Sequence, residues 1–97
     1  MCKIFAGQDP ASYASETRSI RINGHSTSIR LEAAFWRVLE EISRAEGLSL
    51  PQFVSELHDE VLELQGEARN FTSLLRCACL IEMARRETQN APLAVAW

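Results

Sequence analysis

The 97-residue chain predicts a mainly α-helical fold with a short β ribbon, arranged as an N-terminal strand or hairpin followed by three helices. Three observations carry this. Residues 18–22 and 26–31 alternate apolar and polar side chains and include β-branched residues, the period of a half-buried strand. From Glu32 onward the apolar spacing changes to 3.6. Gly47, the stretch "SLPQ" at 49–52 and Gln65-Gly66 then divide the rest of the chain into separate helices.

In chain order, residues 2–6 are read as a short strand and "DPASYASE" at 9–16 as a turn or one short helical piece, with Asp9 ahead of Pro10 at its N-terminus. Next comes "RSIRINGHSTSIRL", in which Ser-Ile-Arg occurs on both sides of Asn23-Gly24. An Asn-Gly pair suits the two-residue loop of a type I′ turn, which would set Ile22 opposite His25, Ile20 opposite Thr27 and Arg18 opposite Ile29. One face then collects Ile20, Ile22, Thr27, Ile29 and Leu31, and the other Ser19, Arg21, Ser26, Ser28 and Arg30. The second strand keeps an edge able to pair with another copy, so strand pairing within the chain and between chains both stay open.

The first helix is expected from Glu32 to about Glu46, with Phe35, Val38, Leu39 and Ile42 inward and Gly47 as its terminator. Ser49 and Gln52 form a capping box for the second, with Pro51 in the first turn and Phe53, Val54, Leu57, Val61 and Leu64 on the apolar stripe. The third starts near Asn70 or Thr72 and runs to about Glu87. It is apolar nearly all round (Leu74, Leu75, Cys77, Ala78, Cys79, Leu80, Ile81, Met83, Ala84), so it belongs in a core or an interface. The domain plan is an arm at 1–17, a domain at 18–87 and a mobile tail at 88–97 whose Trp97 is a docking candidate.

A chain this short buries only about six tenths of its unfolded surface, which favours help from a partner chain. No uncharged run reaches the roughly 18 residues of a membrane span, and the start lacks a signal-like apolar core, so a cytoplasmic location is expected. Three cysteines, with Cys77 and Cys79 two apart, fit neither a disulfide framework nor a zinc site, and buried free thiols are expected. The net charge of -3 is unevenly spread. Residues 32–67 hold nine acidic and two basic groups, whereas Arg18, Arg21 and Arg30 lie in an acid-free stretch between Glu16 and Glu32.

The strand "TSIRL" running into "EAAFWRVLEEI" and then "EGLSLPQFVSEL" resembles the ribbon-helix-helix family. "RSIRINGHSTSIRLEAAFW" and "NFTSLLRCACL" are similar to a subgroup of small bacterial members with an extra C-terminal helix, over about residues 17–84. The resemblance implies an intertwined homodimer in which one strand from each chain forms an antiparallel ribbon in the DNA major groove. It places Ser26, Ser28 and Arg30 on the DNA side and the second helix N-terminus, Leu48 to Gln52, near the phosphates. Ser26 stands where a strong base reader would carry a basic or long amide side chain.

Physics agrees that a major groove about 12 Å wide admits a two-stranded ribbon, and that Arg and Ser are sensible base readers. Helix N-terminal N–H groups hold phosphate, although Pro51 removes one donor. If Arg18, Arg21 and Arg30 of both chains met phosphates, log K would fall against log salt with a slope of roughly -5. The expectation is therefore a DNA-binding transcriptional regulator, with Arg30, Ser28, Ser26, Arg21, Arg18 and Ser49 on double-stranded DNA and Ile29, Leu31, Phe35, Trp36, Phe53 and Leu57 at the dimer interface. The alternative is a protein-interaction or antitoxin-like module that takes a protein partner through the third helix or the tail. The blander reading of the arginines is a solvated face. No cofactor or metal site is expected, and no enzyme, because His58-Asp59-Glu60 diverge around a helix and no nucleophile, base and oxyanion set assembles.

Overall fold

A computed structural model of the chain describes residues 2–89. Seven elements follow in order: α1 (Cys2–Ala6), α2 (Pro10–Tyr13), β1 (Ser15–Ile22), β2 (His25–Glu32), α3 (Ala33–Ala45), α4 (Leu50–Gln65) and α5 (Phe71–Gln89). The segment read as a strand at 2–6 is instead α1. Its backbone is satisfied locally, with the Gly7 N–H donating to the Lys3 carbonyl at 2.9 Å, and Ile4 and Phe5 stay exposed. The short piece after Asp9 is helical, capped by the Asp9 carboxylate accepting from the Ala11 N–H at 3.0 Å.

β1 and β2 form a two-stranded antiparallel hairpin within the chain. Asn23 and Gly24 both take positive φ, 52° and 80°, as a type I′ loop requires. The register pairs Ile22 with His25, Ile20 with Thr27 and Arg18 with Ile29, and continues to Ser15 opposite Glu32. Both strands reach further than their apolar alternation shows, because Ser15, Glu16 and Thr17 offer no apolar member to mark the period.

β1 packs on α4, β2 on α3 and α5, and α3 on both α4 and α5. The shared core is Ile20, Ile22, Ile29, Leu31, Trp36, Leu39, Val54, Leu75 and Cys79. α3 presents a face rotated from the expected one. Trp36, Leu39 and Ser43 are fully buried, while Phe35, Val38 and Ile42 are only partly so. The polar Ser43 hides this stripe in the sequence; its hydroxyl donates to the Glu40 carbonyl at 2.9 Å and its carbonyl accepts from the Leu48 N–H. The α4 capping box forms as expected, with the Ser49 hydroxyl accepting from the Gln52 N–H and the Gln52 amide oxygen accepting from the Ser49 N–H. Gly66, in the left-handed region, ends α4.

α5 continues to Gln89, two residues into the segment read as a tail; residues 90–97, Trp97 among them, lie outside the described residues. Leu75 and Cys79 face the core, but Leu80, Ile81 and Met83 are exposed. Cys77 is also exposed, contrary to the expectation of two buried thiols, because it lies on the side of α5 away from α3. No helix among the described residues is long and apolar enough to cross a membrane.

Candidate nucleic-acid interface

Alternation along the hairpin sorts its side chains by chemistry. The inner face is closed by Ile20, Ile22, Ile29 and Leu31, all buried. The outer face carries Thr17, Ser19, Arg21, Ser26, Ser28 and Arg30, all exposed. Cross-strand pairing sets Thr17 opposite Arg30, Ser19 opposite Ser28 and Arg21 opposite Ser26. The Ser19 and Ser26 hydroxyls share a hydrogen bond of 2.6 Å, and an Arg21 Nη1 contact to the Gly24 carbonyl is long at 3.4 Å. Neither Arg21 nor Arg30 takes part in an ion pair among the described residues. At the far end of the ribbon Glu32 is held by Arg76 at 3.0 Å, and that guanidinium keeps its carboxyl below the usual range. The centre of the face thus presents two free guanidiniums and four hydroxyls with no carboxylate between them.

Arg18 does not join this face. As the partner of Ile29 it points inward, where its guanidinium lies 4.8 Å over the Trp36 ring and binds Glu40 at 2.6 Å and Glu16 at 3.1 Å. The hydrogen bond to Glu40 raises its pKa further. Trp36 Nε1 donates to the Glu16 carbonyl at 2.9 Å, which fixes the ring under the start of β1. Trp36, expected at a dimer contact, is therefore fully buried inside one chain, as are Leu31 and, at 3% exposure, Ile29. Phe35, Phe53 and Leu57 from the same expected set pack partly against the core and keep some open surface.

Ser49 lies near the loop end of the hairpin, where Arg21, Asn23 and Gly24 border the same shallow depression as Pro51, Gln52 and Ser55. Its hydroxyl and N–H are both engaged with Gln52, and Pro51 has no donor, so the capping box leaves little for a phosphate. Further along α4, Phe53 and Leu57 floor a hollow rimmed by Glu46, Glu56 and Glu60. None of these three carboxylates is ion-paired among the described residues, so that side repels a polyanion. His58 packs its ring edge-on against Phe71 at 4.9 Å between centroids, and its buried Nδ1 has no hydrogen-bond partner among the described residues. No group of three or more metal-ligating side chains occurs among the described residues.

A polar, basic two-stranded ribbon carried on a pair of helices joined by a tight Gly-x-Ser turn defines the ribbon-helix-helix class. Comparison with known proteins gives the same class: the model of the ribbon-helix-helix domain matches residues 15–90, and the chain belongs to that family. It is similar to the solved structure of an uncharacterized protein from Bordetella pertussis Tohama I, with 42% identity and a TM-score of 0.88 over 95% of this chain and 74% of that one. No curated protein matches.

Proposed function

We propose that the protein is a DNA-binding transcriptional regulator that acts as a homodimer and inserts the outer face of its hairpin into the major groove. The observation that carries this reading is the open face itself, where Arg21 and Arg30, in no ion pair among the described residues, stand among four exposed hydroxyls. Arg reaches guanine O6 and N7, and Ser bonds several base edges. Arg21, Ser26, Ser28 and Arg30 are the readers; Arg18 is committed to the core and Ser49 to its cap.

Because β1 and β2 already pair within one chain, a single protomer supplies a ribbon of the width the groove accepts. Two hairpins joined through their β2 edges would make four strands, about 14 Å across the backbone alone, more than the roughly 12 Å groove. The dimer contact that suits groove entry therefore leaves the β2 edge free and draws on the helical layer, where Phe35, Phe53 and Leu57 retain surface. The second reading, a protein-interaction or antitoxin-like module, is favoured by the exposed Leu80, Ile81 and Met83 of α5.

Fluorescence anisotropy with a mixed-sequence duplex at low salt tests the proposal. If the two outer arginines of each chain also neutralise phosphate charge while they read the groove, a dimer gives a slope of log K against log salt of at most roughly -3.5. An Arg21→Ala/Arg30→Ala variant drives that slope toward zero. No binding at tens of micromolar would sink the reading.

A further inference from the structure

A homodimer held by Phe35, Phe53 and Leu57 alone would have too small a contact. Stable interfaces bury about 800 Å² on each partner. A fully open aromatic side chain offers only about 150–250 Å², and these three residues are already packed in part against the core. The missing surface lies next to Leu57, which borders two depressions at once. One is the hollow that it floors together with Phe53. The other is a groove of about 400 Å³ lined by Leu57, Val61 and Leu64 from α4 and by Leu74, Cys77 and Ile81 from α5.

No Asp, Glu, Lys or Arg lines this groove. Leu64 stands at its rim and is 83% exposed, more than any other large apolar side chain among the described residues, and Ile81 is 68% exposed. A projecting leucine beside an apolar groove is a self-complementary patch. A two-fold axis sets the same patch of two subunits face to face, so each Leu64 can enter the groove of the other. Nucleic acid is the wrong occupant. Glu56, Glu60 and Glu63 each precede a groove residue of α4 by one position, about 100° round the helix, and all three are exposed. Between two copies these carboxylates sit at the rim, where solvent and salt screen them.

We propose that a second copy of the chain covers the α4–α5 groove, with Leu64 of each protomer seated in the groove of the other, so that α5 joins α4 in holding the dimer. The inference rests on the homodimer reading and deepens it by adding α5 to the contact. It leaves Leu80 and Met83 as the exposed large apolar side chains of α5 open to any other protein.

Sedimentation of the full chain across a dilution series tests it against three variants. Leu64→Glu and Ile81→Glu are each expected to raise the dimer dissociation constant by about tenfold or more. Leu80→Glu should leave it unchanged, because Leu80 is 61% exposed on the same helix but lies outside the groove. All three side chains face solvent in the single chain, so the fold survives, and circular dichroism checks that it has. A dimer indifferent to Leu64→Glu and Ile81→Glu overturns the groove contact and leaves the homodimer standing. A dimer equally weakened by Leu80→Glu overturns it too, whereas an unsubstituted chain that is monomeric at tens of micromolar overturns both readings. Cys77 gives a second measurement that needs no groove variant. In a Cys2→Ser background its alkylation is expected to be slow in the dimer and to speed up on dilution to monomer, Cys79 being buried. Fast alkylation in the dimer leaves the groove open and overturns the proposal. Protection that persists in the diluted monomer assigns the cover to the same chain and overturns it equally.

Discussion

Arg18 and Arg21 stand three residues apart on β1, yet they face opposite ways and meet opposite surroundings. Arg18 turns inward and is held by an aromatic ring and two carboxylates, while Arg21 turns outward, and no carboxylate among the described residues pairs with it. The same contrast separates Leu31, at 0% exposure, from Arg30 beside it. Period-two alternation thus divides one short ribbon into a face that holds the domain together and a face free to act on something else. Acid follows the same division. Glu16, Glu32 and Glu40 are drawn onto arginines around the inner side, and Glu46, Glu56 and Glu60 gather on the α4 side, so the outer face keeps its charge.

The largest way to break this contrast is to empty the inner face. Trp36→Ala removes a fully buried ring together with its hydrogen bond to the Glu16 carbonyl and its stacking partner Arg18. The expected loss is about 3–5 kcal/mol. For a chain of this size that is a large part of the total stability, and urea unfolding should show a greatly reduced midpoint or no cooperative transition.

Arginine by arginine, the comparison sharpens into a crossover. Arg18→Ala is expected to cost about 1–2 kcal/mol, because it removes a cation–π contact and two ion pairs at a site about one-third exposed. DNA affinity should follow only that loss of folded protein. The Arg21→Ala/Arg30→Ala pair should do the reverse, leaving stability within about 0.5 kcal/mol and abolishing the salt-dependent binding. Denaturation and anisotropy on the same two proteins decide it. If Arg18→Ala flattened the salt slope in fully folded protein, the division of the two faces would be wrong.

Much of this was legible in the residues themselves. The hairpin register followed from Asn23-Gly24 and the alternation around it, although Arg18, which that register sets opposite Ile29, was still expected on the DNA side and turns inward instead. The helix boundaries at Gly47, Ser49 and Gly66 were equally plain, because capping chemistry is local. What the sequence hid depends on contacts distant along the chain. Trp36 is buried because a carbonyl 20 residues earlier receives its N–H and because Ser43 completes its stripe, and neither is visible in apolar spacing. Residues 2–6 are too few for period two and period 3.6 to be told apart, and the helix won there by closing its own backbone bonds. The motif "SLPQ" was legible as a cap but not as a spent one. Only the geometry shows both Ser49 donors turned onto Gln52.

The smallest effect concerns acid. Glu32 is held below the ordinary glutamate value of about 4.5, first by its hydrogen bond to Arg76 and then by a backbone N–H. Glu82 is held down likewise, first by Arg86 and then by Arg85. A carboxyl whose folded pKa lies below its unfolded one binds fewer protons when folded, so its stabilisation is complete above about 4.5 and is lost as the pH falls through the lower folded value. Stability attributable to these two groups should therefore be flat from neutral pH to about 4.5 and decline as the pH falls below that. Glu32→Gln should make the acid limb shallower, because the neutral amide has no proton to gain as the pH falls. Arg21→Ala/Arg30→Ala should change that limb much less, because Arg21 forms no ion pair among the described residues and Arg30 acts on Glu32 only through its charge at a distance, the smallest of the causes that hold Glu32 down. Urea midpoints collected across the acid range for the three proteins would separate them. An outer-face variant that altered the acid limb as much as Glu32→Gln would place a carboxylate on the ribbon's open side and remove the free charge on which DNA recognition is argued.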